Sequence, residues 1–413
     1  MPETLALLGG TPLRTTPFST WPVFGTEEEE AILRVTRSAK WGRLDGEEVD
    51  RFEQAFARYH DCAYGIAMVN GSVTLKIALL AGGIQAGDEV IVPTYTFLAT
   101  ATVVVEANAV PVFADIDPQT YCLDPVSVEA AITPRTRAII VVHFAGQAAN
   151  MNAFCALAAR YQLTLIEDAA HAHGGEYQGK KLGSWGDAGS FSFQSTKNLT
   201  AGEGGILITN NAETERLCRS FHNCGRLPEG VWYAHELLGG NNRMTEFQGA
   251  LLGVQLTRLE AQTAHRDANG RYLNARLAGI PGLRPLPRGQ GETIHPYHLY
   301  IFRYDTAAWD GLSRSRFLEA LNAEGIESSG GYPVPLYAQP VFAERRFGPY
   351  AGAMGYCADV EANAAHCPVT ENACKVEACW LYQNALLGSR KDMDDIVDAI
   401  AKIYENRHLL QAL

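Results

Sequence analysis

Phe191-Ser192-Phe193-Gln194-Ser195-Thr196-Lys197-Asn198-Leu199-Thr200-Ala201-Gly202-Glu203-Gly204-Gly205 contains one lysine, Lys197. The opening triplet Phe191, Ser192, Phe193 alternates apolar and polar and predicts a strand. Ala201 to Gly205 predicts a glycine-rich turn. A lysine just past a buried strand, among hydroxyls and glycines, is poorly placed for a surface residue. Burial lowers an amine pKa and frees its lone pair, which suits Lys197 to hold a Schiff base. The plain alternative is a solvated loop lysine, because buried lysines are rare. The surrounding chain decides between them.

Upstream, short Val/Ile-rich runs alternate with helical patterns. Strands are expected at 64–69, 89–92, 111–115, 137–143 and 163–168. Helices are expected up to Leu80, from about Phe97, from the Asp124-Pro125 start and over Met151–Tyr161. Such alternation predicts a mostly parallel sheet covered on both faces. At the front, residues 1 to about 25 predict an extended arm. Thr26, with Glu29 three residues on, predicts a capped helix ending near Ser38. Val49, Phe52, Phe56 and Tyr59 predict one buried face of a second helix. Downstream, a strand at 206–209, a helix at 212–223 and a long helical pattern from Thr245 through Leu277 follow. A strand at 298–304, a helix at 313–325 and a C-terminal helix from Lys391 complete a smaller α+β unit. The expected division is 1–255 for the large unit with its arm and 256–413 for the small one.

The 413 residues are 47% hydrophobic and 19% charged, which describes a globular protein with a sizeable core. A net charge of −12 argues against nucleic acid or an anionic membrane as the main partner. Nine scattered cysteines without a CxxC predict reduced thiols in a cytoplasmic protein. Met1-Pro2-Glu3-Thr4 carries no basic signal region, and no apolar run reaches a membrane span of about 18 residues. Asp168, His171 and His173 lack a further ligand cluster, so no metal is expected.

Four features gather where ligands bind an open α/β sheet, at the carboxyl ends of strands. Asn70-Gly71-Ser72-Val73-Thr74 joins a strand to a helix whose N-terminus suits a phosphate, although Ser72 read alone is an ordinary N-cap. Asp168 ends a hydrophobic strand, where an acid needs a partner such as a protonated pyridine nitrogen or, more plainly, a helix cap. Phe97, after Pro93-Thr94-Tyr95-Thr96, offers a ring to stack on a flat cofactor or to pack in the core. Lys197 is the fourth.

The ordered set resembles the sugar aminotransferases of the DegT/DnrJ/StrS type over essentially the whole chain. It comprises Asn70-Gly71-Ser72, Gly87-Asp88-Glu89-Val90-Ile91-Val92-Pro93 running into Phe97, Glu167-Asp168-Ala169-Ala170-His171, Ser192 to Lys197 with Gly202-Glu203-Gly204-Gly205, and Arg243-Met244-Thr245-Glu246-Phe247-Gln248. The resemblance implies the aspartate aminotransferase fold, with a mostly parallel seven-stranded sheet and a smaller C-terminal domain. It implies pyridoxal 5'-phosphate as cofactor and glutamine or glutamate as amino donor to a keto-sugar or keto-cyclitol. Lys197 would form the internal aldimine and shuttle the proton, Asp168 would pair with the pyridinium, and Phe97 would stack on the ring. Ser72, the Val73 amide and Ser192 would hold the phosphate. Asn241 would reach it from the second subunit of a homodimer with shared sites. His171 stands where many members carry Gln and looks like the cyclitol and aminohydroxybenzoate branch. An aminohydroxybenzoate synthase-like enzyme and a non-catalytic regulator are the alternatives.

Overall fold

The computed structural model describes residues 4–352 and 367–411. Two helices, α1 (Thr26–Ser38) and α2 (Glu48–Tyr59), precede the first strand, β1 (Tyr64–Met68). Then α3 (Gly71–Ala81), β2 (Glu89–Pro93), α4 (Ala99–Glu106), β3 (Val110–Ala114), α5 (Pro125–Ala131), β4 (Thr136–Val142), α6 (Met151–Tyr161) and β5 (Thr164–Asp168) alternate as the sequence predicts. β6 (Ala188–Ser192), β7 (Gly205–Thr209) and α7 (Ala212–His222) follow. The seven strands form one sheet in the order β1-β7-β6-β5-β4-β2-β3. Only β7 runs against its neighbours, β1 and β6; the others pair in parallel. β1 therefore runs the same way as β5 and β6, and the turns after all three emerge at one edge.

Apolar periodicity explains the covering layers. Val49, Phe52 and Phe56 of α2 are fully buried. Phe56 meets Phe191 edge-on at 5.0 Å and Phe193 at 5.6 Å. Each such ring contributes about 1.5–3 kcal/mol through burial. They anchor the carboxyl end of the strand that leads to Lys197.

The start of α1 differs from expectation. Gly25 is the cap, and Glu28 rather than Glu29 returns its carboxylate to the Gly25 amide at 2.8 Å. Thr26 lies inside the helix, because glycine adopts the extended cap conformation here without a side chain. The long helix α8 (Glu246–Leu277) is unbroken. The division expected near residue 255 falls within it. Its early residues Leu252 and Leu259 lie in the large core, and Leu273 and Leu277 lie in the C-terminal one.

Beyond α8, β8 (Leu283–Pro285), β9 (Leu299–Tyr304), α9 (Arg314–Ala323), β10 (Ser328–Ser329), β11 (Ala378–Tyr382) and α10 (Arg390–Glu405) build the second unit. Its strands form an antiparallel sheet in the order β8-β9-β11-β10. The N-terminal arm, expected to stand with the large unit, docks here instead. Leu5 joins this core, the Ala6 and Leu13 amides donate to Glu324, and Arg14 pairs with Asp392 and Asp395 at 2.7 Å each. The expected C-terminal helix runs as α10 only to Glu405, followed by a short 3-10 turn, Arg407–Leu410.

Candidate active site

Three strand ends and one loop build the site. Behind β1, Asn70 caps α3 by accepting from the Val73 amide at 2.9 Å. That cap occupies the amide expected to hold a phosphate. The Gly71 and Ser72 amides remain without intrahelical acceptors, and Ser72 is exposed. Gly71 is required by proximity: a Cβ there would stand 2.8 Å from the Ser192 Cβ. Gly205 matches it, since its Cβ would meet the Asn70 carbonyl carbon at 2.5 Å. These two glycines bring the half-buried Ser192 beside the start of α3. Gly71→Ala is therefore expected to part them and weaken pyridoxal-phosphate binding by at least about tenfold, since a displacement of about 1 Å in a built site can cost about 10²-fold. A titration of the cofactor-free protein measures this.

Asp168 ends β5 and is buried. Its Oδ2 accepts from the Thr100 hydroxyl at 2.8 Å and its Oδ1 from the Ala170 amide at 3.2 Å. Among the described residues no arginine or lysine forms an ion pair with it. Burial raises its pKa, partly offset by the Thr100 hydroxyl, the Ala170 amide and the nearby Lys197 charge. A carboxylate so poorly matched by protein cations suits a protonated ring nitrogen. Thr100 was not foreseen as a partner. It lies three residues beyond Phe97, near the start of α4, and that spacing was the available signal. Phe97 itself precedes the helix and is 61% exposed.

Lys197 sits in the loop after β6. The Phe193 carbonyl accepts from the Thr200 hydroxyl at 2.9 Å and the Ala201 amide at 3.2 Å, closing that loop. Gly202 has φ of 81°, a left-handed conformation that favours glycine. Desolvation of the Lys197 amine pushes its pKa down to about 8 against the pull of Asp168. The motif thus brings Asp168 and Lys197 within each other's field.

His171 is buried, and its Nδ1 accepts from the Ala145 amide at 3.2 Å. A neutral ring then carries its proton on Nε2. Burial first, then Lys197 and the histidines around it, holds its pKa well below the ordinary range. Glu167, part of the same motif, is structural. It accepts from His143 at 2.9 Å and from the amides of Gly183, Trp185 and Gly186 at 2.6–2.7 Å. Tyr95, Phe144, Tyr332 and Trp380 form an aromatic cluster whose Tyr332 senses the Asp168 charge. Among the described residues no three His, Cys, Asp or Glu side chains form a metal cage. Asn241 is exposed and pairs by its backbone with Asn223. The residues fit pyridoxal 5'-phosphate: an amine of lowered pKa, an unmatched buried acid, and a helix start beside a serine.

A family model described as the DegT/DnrJ/EryC1/StrS aminotransferase family matches residues 23–401. Two relatives come from Streptoalloteichus tenebrarius. One, provisionally named an L-glutamine:3-amino-2,3-dideoxy-scyllo-inosose aminotransferase, is 40% identical over 423 residues, covering 98% of this chain and 99% of its own. The other, an L-glutamine:2-deoxy-scyllo-inosose aminotransferase, is 39% identical over 427 residues and 100% of both chains. The crystal structure of a 3-amino-5-hydroxybenzoic acid synthase superposes with a TM-score of 0.85 at 32% identity, covering 96% of this chain and 100% of that one. The strand order, the neighbouring Asp168 and Lys197 and these matches agree: the chain belongs to the DegT/DnrJ/EryC1/StrS aminotransferase family.

Proposed function

We propose that this enzyme moves the amino group of glutamine or glutamate to a keto-cyclitol or keto-sugar, with pyridoxal 5'-phosphate held on Lys197. The carrying observation is an amine of lowered pKa within the field of a buried, cation-poor carboxylate at the sheet edge. Bound there, the cofactor supplies an electron sink for the carbon that loses a proton. Lys197, its Nζ freed when the donor's amine takes its place on the cofactor, would take that proton and return it at the neighbouring position. Asp168, steadied by the Thr100 hydroxyl, would hold the ring nitrogen's proton. Ser72 and Ser192 hold the phosphate at the start of α3. His171 donates from Nε2, and Phe97 covers one ring face.

Glutamine as donor and an inosose as acceptor are supported by the names of the two Streptoalloteichus relatives. His171 supports the same branch. A second copy completing the site is supported by an open groove of about 730 Å³ beside the Lys197 loop, lined by Phe24, Leu33, Ala201 and Leu251. In such a homodimer the exposed Asn241 reaches the partner's phosphate. A cytoplasmic setting suits the eight free cysteines among the described residues. No helix among them is long and apolar enough to cross a membrane.

The test is attachment of pyridoxal phosphate, trapped on Lys197 by borohydride and located by peptide mass. Only the unprotonated amine reacts, so the rate rises with pH through about 8. At pH 7 it should be roughly tenfold below its plateau. No modification at Lys197 would sink the proposal. Turnover of glutamine with scyllo-inosose then tests the acceptor. The fold match to 3-amino-5-hydroxybenzoic acid synthase favours a second reading, which an aminohydroxybenzoate product would establish instead.

A further inference from the structure

We propose that His298 is a positioning residue of the amino-transfer site, holding Lys197 through Asn198 and His171 through a ring stack. The inference rests on the cofactor reading above. Asn198 directly follows Lys197 and is buried. Its Nδ2 donates to the Pro296 carbonyl at 2.8 Å, which fixes the amide's orientation. Its Oδ1 is thereby left facing His298 Nδ1 at 3.2 Å, and that nitrogen must carry the proton. The lone pair of His298 then lies on Nε2. The ring stacks on His171 with centroids 4.1 Å apart and planes 29° from parallel. His171 has the opposite tautomer, because the Ala145 amide occupies its Nδ1. The pair therefore offers one donor and one acceptor.

The backbone is shaped to deliver this ring. Tyr297 has φ of 46°, an unusual value for a bulky residue, which packing must sustain. The His295 ring lies parallel to the Tyr297 ring at 3.7 Å, and His295 Nδ1 accepts from the Tyr297 amide at 2.9 Å. Gly270 makes room for the Tyr297 ring, and a Cβ at Gly146 would stand 2.9 Å from Pro296 Cγ and 3.0 Å from the His171 carbonyl oxygen. The turn enters β9 of the second unit, so that unit supports the lysine loop of the first. Burial, then Lys197, His173 and Arg266, disfavour a charged His298, which suits a fixed hydrogen-bonding role rather than proton transport.

The full-length protein tests this with His298→Asn, His298→Gln and Asn198→Leu. Asparagine places its amide near Nδ1 and retains the bond to Asn198; glutamine places it near Nε2 and loses that bond. The readouts are borohydride-trapped attachment to Lys197, the single-turnover rate with L-glutamine, and histidine nitrogen spectra of the cofactor-free protein. His298→Gln and Asn198→Leu should slow attachment and turnover about 10–100-fold, with His298→Asn, which keeps the bond and loses only the ring stack, slowed clearly less than His298→Gln. The spectra of the natural chain should assign the His298 proton to Nδ1, a result independent of whether any variant folds. Equal losses in the two His298 variants, no loss in any variant, or a proton on Nε2 would each overturn the proposal. Failure of the natural chain to attach the cofactor would instead overturn the cofactor reading.

Discussion

Lys197→Ala should lose covalent attachment of pyridoxal phosphate and lower amino transfer by at least about 10³-fold, the combined scale of removing a nucleophile and a general base. The proposed phosphate cup at Ser72 and Ser192 lies on other elements, so non-covalent cofactor binding should survive in part. The same change should raise the melting temperature of the cofactor-free protein at neutral pH. The sign follows from the amine's pKa, lowered in the folded state to about 8 from 10.5. Stability linked to such a group is full above the unfolded value and is lost as pH falls through the folded one. At pH 7 the folded chain carries the whole penalty, so its removal helps most there and least above about pH 10.5. Retained turnover, or a melting gain independent of pH, would count against Lys197 as the site's amine.

Asp168→Asn should lower turnover by about 10²–10³-fold, the usual scale for removing a preorganised charge from a catalytic site. The amide can keep both local contacts: Oδ1 can accept from Ala170, and Nδ2 can donate to the Thr100 hydroxyl. What it lacks is the negative charge that holds a ring proton. Stability again separates the roles. The folded pKa of Asp168 is raised by burial, so the folded state binds the proton more tightly than the unfolded one. Its linked stability is present below the unfolded value of 3.8 and is lost as pH rises through the folded value. At neutral pH the carboxylate burdens the cofactor-free fold, and Asn should melt later by about 1–3 °C. Earlier melting with unchanged turnover would make Asp168 a structural cap, the bland reading its sequence position also allowed.

Periodicity along the chain was enough to indicate the alternating elements, the buried face Val49, Phe52 and Phe56, and the strands leading to Asp168 and Lys197. These patterns are local, because burial repeats with the pitch of each helix or strand. The family resemblance added the cofactor and the expected residue roles. Local pattern could not choose Gly25 over Thr26 as a cap, since the result depends on which carboxylate folds back. Nor could it dock the arm: Ala6 meets Glu324 across 318 residues of sequence. Asn198 and His298 are 100 residues apart, and neither neighbourhood hints at the other. Thr100 became the partner of Asp168 only because β5 and the turn leading to α4 open at the same sheet edge. The amino-acid sequence by itself thus determined the elements and the two side chains proposed to react. Strand order and the packing of the second unit decided which distant groups support them, because register and docking are set by the whole core rather than by neighbours in the chain.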